Sequence, residues 1–337
     1  MIKVGIVCGG VSSEHEISCI SAGGVLGAID RSKYQPVLIG ITKNGKWVLP
    51  GENYQLKIVN GILPEISPNL PVTEISKLEV DLLFPVLHGT YGEDGGFQRD
   101  AEKVGIPYVG SGVDASANGM DKSISKIIFK SKGLATAPGI VASKEVWNKS
   151  PEKIIEAANP FGFPLFVKPA NSGSSKGTCK VKNASELSRA IDFALQYDDK
   201  ALVEKAIIGR EIECAVLEKD GEVIASPVGE IKIVGDHEFY DFEAKYLDGS
   251  TELLIPAPLS DEISLKIREM AVKAFKAIEC KGLARVDFFV NQDEIVINEI
   301  NTMPGFTSTS MYPRMWEAGG ITYKELISTL IENALKN

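Results

Sequence analysis

The sequence predicts an α/β protein of two or three domains that opens on a mainly parallel sheet with helices on its faces. Three observations lead there. Apolar strand-like runs alternate with helical patterns through the first third, an order that favours parallel pairing through helical crossovers. The 337 residues exceed what one small core needs. The composition, 44% hydrophobic and 24% charged, is that of an ordinary soluble globular chain.

The elements follow in order. Residues 2–7 read as a strand leading into Gly9-Gly10, then a helix carrying Ile17, Ile20, Val25, Ala28 and Ile29 on one face. Ser13 and Glu16, three residues apart, fit a capping box for that helix. Residues 37–41 and 82–86 are the next strands. In the middle third, 123–132 is a helical pattern, 164–168 a strand and 202–204 another. Later, Ile267, Met270, Ala271, Ala274, Phe275 and Ile278 mark one helical face, and 283–290 and 294–300 read as consecutive strands. Tyr323, Leu326, Ile327, Leu330 and Ile331 mark a final amphipathic helix. Turn-rich residues 105–112 and Ile207-Ile208-Gly209 are the candidate domain boundaries. No repeat or low-complexity tract is evident.

Charge and cysteine content narrow the function. A net charge of −9 offers no broad basic field, so nucleic acid is not an expected partner. Any anionic ligand must meet a few locally placed lysines and arginines. The five cysteines are scattered without a CxxC pair and read as thiols in a reducing compartment. No apolar run is long enough to span a membrane, and the expected location is the cytoplasm.

The strongest chemical signal is Arg285-Val286-Asp287 followed by Asn298-Glu299-Ile300-Asn301. Residues two apart on a strand face the same way, so an antiparallel pair would gather Asp287, Glu299 and Asn301 beside the Arg285 guanidinium. Such hard oxygen ligands suit Mg²⁺. The alternative is a solvated polar face, but acids within apolar strands need partners. Lys168 ends an apolar strand before the Gly- and Ser-rich run 171–177, which can offer ammonium, hydroxyl and N–H groups to phosphate. The Walker spacing and the GxGxxG fingerprint are absent, and an ordinary flexible loop is the competing account. Gly9-Gly10-Val11-Ser12-Ser13-Glu14-His15-Glu16 opens a helix, where anions bind and where Glu14 and Glu16 also complement the dipole. His88-Gly89 and Gly92-Glu93-Asp94-Gly95-Gly96 follow a strand end, the usual ligand side of an open α/β sheet. His15 and His237 are expected to be exposed, and no His/Cys spacing suggests zinc. The aromatic and charged run 238–246 reads as an active-site lid or an edge strand.

These pieces, in this order, resemble the D-alanine–D-alanine ligase family over nearly the whole chain. The resemblance is carried by the Gly9–Ser18 run, HG-x-x-GEDG at 88–95, MDK at 120–122, KP at 168–169 with the Ser-rich turn, EK at 204–205, YDFEAKY at 240–246, RVD at 285–287 and NEINTMPG at 298–305. It implies a three-domain ATP-grasp fold, a mixed α/β architecture, with an N-terminal substrate domain (1–110), a central subdomain (111–206) and a C-terminal subdomain (207–337) bearing a lid at about 234–252. It also implies ATP and two Mg²⁺ (or Mn²⁺) as cofactors, D-alanine as substrate, an acyl-phosphate intermediate, a role in peptidoglycan precursor synthesis, and a homodimer.

By the same resemblance Lys122 and Lys168 match lysines that contact ATP phosphates, with Lys245 reaching the γ-phosphate from the lid. Glu204, Lys205 and Ile207 fall where the family contacts adenine, and Glu211 where it binds ribose. Asp287, Glu299 and Asn301 would hold the metals. Arg285 and the Gly305 N–H would stabilise the oxyanion. Glu14 would hold the first substrate's ammonium in a hydrogen-bonded set with Ser174 and Tyr246. His88 would lie near the first substrate, while Ser310 and Met311 would border the second. Tyr246 is the form seen in ligases making D-Ala-D-Ala, and an uncharged Met311 favours D-alanine over D-serine or D-lactate. Lys176 departs from the pattern, since many relatives have an apolar residue there.

A D-Ala-D-Ser or other D-amino-acid ligase of the same fold is the nearest alternative. A regulatory module without catalysis would lack the metal ligands present here. A nicotinamide-dependent oxidoreductase would need a third glycine and an acidic ribose partner that the first turn lacks.

Overall fold

The computed structural model describes residues 1–51, 53–233 and 251–336, which form three sheets. The first contains β1 (Ile2–Gly9), β2 (Tyr34–Ile41), β3 (Trp47–Val48) and β4 (Leu82–Pro85) in the order β3-β2-β1-β4. β1 pairs in parallel with β2 and β4, and only the edge strand β3 runs antiparallel. The central strand is buried on both sides, which is why it reads as a continuous apolar run instead of an alternating one. α1 (His15–Ala28) packs on β1, and α2 (Gly96–Val104) follows β4.

α3 (Val113–Met120) and α4 (Lys122–Ser131) lead to the second sheet, an antiparallel set ordered β5-β8-β6-β7. Its strands are β5 (Gly139–Ser143), β6 (Leu165–Pro169), β7 (Cys179–Val181) and β8 (Lys200–Lys205), backed by α5 (Lys144–Lys149), α6 (Pro151–Ala158) and α7 (Ala184–Ala194). The third sheet follows the path β12-β11-β9-β13-β14, with β10 paired to β9. These are β9 (Arg210–Lys219), β10 (Glu222–Ala225), β11 (Gly229–Ile233), β12 (Thr251–Leu254), β13 (Leu283–Asn291) and β14 (Glu294–Asn301). α8 (Asp261–Ile278), α9 (Met311–Ala318) and α10 (Tyr323–Ala334) complete the chain.

α8 buries Ile267, Ala271, Ala274, Phe275 and Ile278, the face expected from their spacing. Ser260 caps it by accepting from Ile263 N–H. Phe129 of α4 and Leu134 beyond it join that core, which anchors α4 to the third sheet, and Lys122 in its first turn borders the cleft. Truncating fully buried Phe129 to Ala would cost about 3–5 kcal/mol.

Three local expectations differ from the fold. α1 buries Ser18, Cys19, Ala22 and Val25, while Ile17 and Ile20 of the expected apolar face line the cleft. α1 starts at His15 with Glu14 as its cap residue, and the Ser13–Glu16 capping box does not form. Ser12 instead accepts from Glu14 N–H at 3.1 Å. His15 is buried, not exposed: Nδ1 donates to Gly10 O at 2.7 Å and Nε2 accepts from Ile66 N–H at 3.0 Å. That pair ties the Gly-rich turn to a loop fifty residues away. Gly9 is required there, since its φ is +92° and any side chain would collide with Ile41 O. The cysteines are free, four of them buried and Cys179 half-buried. Among the described residues no helix is long and apolar enough to cross a membrane.

Candidate active site

A cavity of about 800 Å³ opens where the three sheets meet, within the range of small-molecule sites. The carboxyl ends of β1 and β4 feed it from the first sheet, the usual ligand side of a parallel sheet.

The cleft floor comes from the third sheet. β13 pairs antiparallel with both β9 and β14, setting Glu213, Asp287 and Glu299 side by side across three strands. Arg285 and Asn301 face each other in the adjacent row. Arg285 grips Asp287 with two bonds of 2.7 Å and lies 3.1 Å from Glu213. Burial opposes its charge, but Asp287 and Glu213 outweigh that and raise its pKa well above the ordinary value. Asn301 donates to Asp287 at 3.0 Å. Asp287, Glu299 and Asn301 are therefore neighbours on two strands, with Arg285 holding both Asp287 oxygens and Asn301 turning its Nδ2, not its Oδ1, to Asp287.

A β-bulge between Asp287 and Phe288 leaves Asn298 as the extra residue on β14. Its Oδ1 accepts from Lys168 Nζ at 3.1 Å, joining the second sheet to the third. Lys168 also contacts Glu204 Oε2 at 3.0 Å. Lys126, one turn after Lys122 on α4, takes the other oxygen of Glu204 at 2.8 Å. Burial would raise the Glu204 carboxyl, yet the two ammoniums prevail and hold it at about 2. Lys122 pairs with Glu299 at 3.1 Å and donates to Ser172 O at 2.9 Å. Asp121, the α4 cap, accepts from Ser123 and Ile124 N–H and is paired with Lys200, fixing where Lys122 begins.

The other end of the cleft is set by hydrogen bonds. Glu14 Oε1 accepts from Ser174 Oγ at 2.6 Å, linking the turn after β1 to the Ser-rich loop. Ser174 and Ser175 both sit at positive φ, a strained state in non-glycine residues that is common at ligand-binding loops. Met303, just past β14, is clamped on both sides of its backbone. Its N–H donates to Glu93 at 3.3 Å, and its C=O accepts from His88 Nδ1 at 3.2 Å. Since a carbonyl only accepts, His88 carries its proton on Nδ1, and Nε2 faces Ser21 Oγ at 3.3 Å. Burial draws the His88 pKa down, with Glu14 opposing. Glu93 also accepts from Gly89 N–H at 2.6 Å, while burial and the Glu14 charge push its carboxyl up to about 8.

Gly305 and Ser310 lie beyond that clamp. A side chain at Gly305 would crowd Ser310 Oγ at 3.2 Å, so the loop packs tightly there. Ser310 Oγ accepts from Thr307 N–H at 3.1 Å. Met311, the first residue of α9, is buried and borders the cleft. Lys205, Ile207 and Glu211 line the wall between β8 and β9. The Lys205 N–H is already donated to Pro138 O at 2.8 Å. Lys245, Tyr246 and His237 lie outside the described residues.

Four functional candidates escaped the sequence reading. Glu213 alternates with Glu211 on one strand face, a signal that was available. Lys126 follows Lys122 at helical spacing, likewise legible. Glu93 stands inside the GEDG run but had no role assigned. Asn298 was hidden by the bulge, which shifts the register without a sequence mark.

Two family profiles cover most of the chain: "D-ala D-ala ligase N-terminus" over residues 3–111 and "D-ala D-ala ligase C-terminus" over 128–332. A curated D-alanine–D-alanine ligase of Mycobacterium avium (strain 104) is 46% identical over 360 residues, spanning 99% of this chain and 96% of its own. Among solved structures, the VanG D-Ala:D-Ser ligase of Enterococcus faecalis has a TM-score of 0.87 at 37% identity, with 99% of both chains covered. The D-alanine–D-alanine ligase of Coxiella burnetii gives 0.81 at 34% identity, covering 100% of this chain and 96% of that one.

Proposed function

The chain belongs to the D-alanine–D-alanine ligase family, of ATP-grasp fold, and is an ATP-dependent ligase; from that premise we propose how its residues join two D-alanines. The observation that carries the reading is the row of paired acids and cations on β9, β13 and β14, facing Lys122 and Lys168 across the cleft.

The donor set fits Mg²⁺ or Mn²⁺: two carboxylates and a carboxamide on adjacent strands, all hard oxygen donors, with room for phosphate oxygens. Asp287, Glu299 and Asn301 would hold two such ions, which supply charge neutralisation at the phosphates. Lys122 and Lys168 bind the phosphate chain, with Lys245 added from the lid. Glu204, Lys205 and Ile207 border adenine, and Glu211 the ribose.

Glu14 takes the ammonium of the first D-alanine, with Ser174 orienting its carboxylate and Tyr246 joining from the lid. His88 flanks that substrate as a neutral group. The substrate carboxylate attacks the γ-phosphorus, ADP leaves, and an acyl phosphate forms. The amine of the second D-alanine, bordered by Ser310 and Met311, attacks that carbonyl. Arg285 and the Gly305 N–H hold the oxyanion until phosphate departs, which is positioning and electrostatics, not covalent catalysis by the protein.

The dipeptide serves peptidoglycan precursor synthesis and cell shape, in the cytoplasm, and the working form is a homodimer. The likeness to a D-Ala:D-Ser ligase makes the second substrate the point to test. Phosphate release with D-alanine alone, and with D-serine or D-lactate added, is measured together with product mass. D-Alanyl-D-alanine from D-alanine alone is expected, and it should remain the main product when D-serine is added. ATP consumption only with D-serine present would overturn the substrate assignment.

A further inference from the structure

Lys126 has no part in the roles above, yet its side chain is more deeply buried than Lys168, at 7% against 12% exposed. It does not line the cleft. Among the described residues, Glu204 is the one carboxylate within ion-pair distance of it. Its ammonium acts on Glu204 through charge and through the close contact of 2.8 Å.

One buried carboxylate thus serves two lysines, one on each oxygen, at 2.8 and 3.0 Å. The two are not equivalent. Lys168 borders the cleft and has a second acceptor in Asn298. Lys126 is held from behind by α4, which is anchored through Phe129 in the third-sheet core. If Lys168 were the sole partner, moving it to a phosphate would strand an ionised carboxylate in the interior. Breaking a buried pair by removing one partner is strongly destabilising, so the nucleotide would bind against that loss. A second ammonium that cannot leave removes the difficulty. It also leaves the cluster with one surplus positive charge facing the cleft.

We propose that Lys126 is a positioning residue that stays on Glu204 while Lys168 transfers to the nucleotide phosphates. The inference rests on the reading of Lys168 as a phosphate contact. Without Lys126, Glu204 would retain Lys168, and nucleotide affinity would fall although no nucleotide contact was removed.

A double-mutant cycle tests this by calorimetric binding of a non-hydrolysable ATP analogue with Mg²⁺. Lys126→Met is expected to weaken binding by about tenfold, and Lys126→Arg to stay within about twofold of the parent. In a Glu204→Gln background there is no buried anion to strand, so adding Lys126→Met should change affinity by less than about twofold. A merely structural lysine would weaken binding equally in both backgrounds, and that result, or no loss in either, would overturn the proposal. If Lys126→Met alone fails to fold, the double variant compared with Glu204→Gln still reads the coupling, and unequal affinities would refute it. Absence of nucleotide binding by the unmodified protein would instead refute the ligase reading itself.

Discussion

At the phosphate end of the cleft, four cations (Lys122, Lys126, Lys168 and Arg285) meet four carboxylates (Glu204, Glu213, Asp287 and Glu299) in ion pairs of 2.7–3.1 Å. At the substrate end, Glu93 and His88 hold one backbone unit, Met303, and Glu14 is held by a hydroxyl. The first end consists of cation–carboxylate pairs, in which Lys122 and Lys168, on the proposed reading, would pass from carboxylates to phosphates while Lys126 stays on Glu204. The second end consists of directional hydrogen bonds, two of them to the Met303 main chain, which set positions without an ion pair to exchange. Substitutions at the phosphate end should therefore change binding and charge balance, whereas those at the substrate end should change the geometry of the reacting groups.

The largest test of that contrast is Arg285→Met, which removes the proposed oxyanion donor and leaves Asp287 and Glu213 without their counter-charge. Turnover should fall by about 10³-fold. The fold should lose roughly 3 kcal/mol, read from denaturant unfolding. Retained turnover would place the oxyanion elsewhere.

Ser174→Ala comes next. It removes the 2.6 Å bond to Glu14 and should lower kcat/KM for D-alanine by roughly ten- to a hundredfold, a hydrogen bond to a charged group. The nucleotide Kd should barely move. A loss confined to ATP binding would assign Ser174 to the phosphate end.

Glu93→Gln sharpens the other side of the comparison. Above about pH 8, where Glu93 is ionised and both its oxygens accept, the amide instead turns an N–H donor toward either Gly89 or Met303, so one clamp bond becomes a clash. A decrease in kcat of about tenfold is expected with KM for ATP unchanged, the mark of a misplaced Gly305 loop. An unchanged kcat would show that His88 alone holds Met303.

The smallest effect is a pH slope. Glu204 titrates at about 2 in the fold against an ordinary 4.5, so its contribution to stability is full above 4.5 and is lost as pH falls toward 2. Glu204→Gln should lower stability at neutral pH and flatten that acid limb in denaturation curves. An unchanged limb would mean that other carboxylates dominate it.

How much of this was legible depended on distance along the chain. The β13–β14 pair was readable because Arg285, Asp287, Glu299 and Asn301 lie on consecutive strands with period-two spacing. The bulge at Asn298 was not, because register depends on three-dimensional pairing that alternation alone does not specify. His15 was taken for a surface residue, since Gly10 O and Ile66 N–H are brought to it only by folding. The capping box failed because the helix begins two residues after Ser13, and Ser12 bonds the turn instead. Lys126 and Glu213 show the reverse. Their spacing was visible, but nothing along the chain revealed that Glu204 and Arg285 would be waiting for them.

Activation of a carboxylate as an acyl phosphate in the cleft is read by isotope transfer. D-Alanine labelled with ¹⁸O in its carboxylate is turned over with ATP and Mg²⁺, and the released phosphate is weighed by mass spectrometry. One ¹⁸O atom is expected in each phosphate formed, passed from the first substrate when the second amine displaces it. Unlabelled phosphate accompanying dipeptide formation would contradict acyl-phosphate activation.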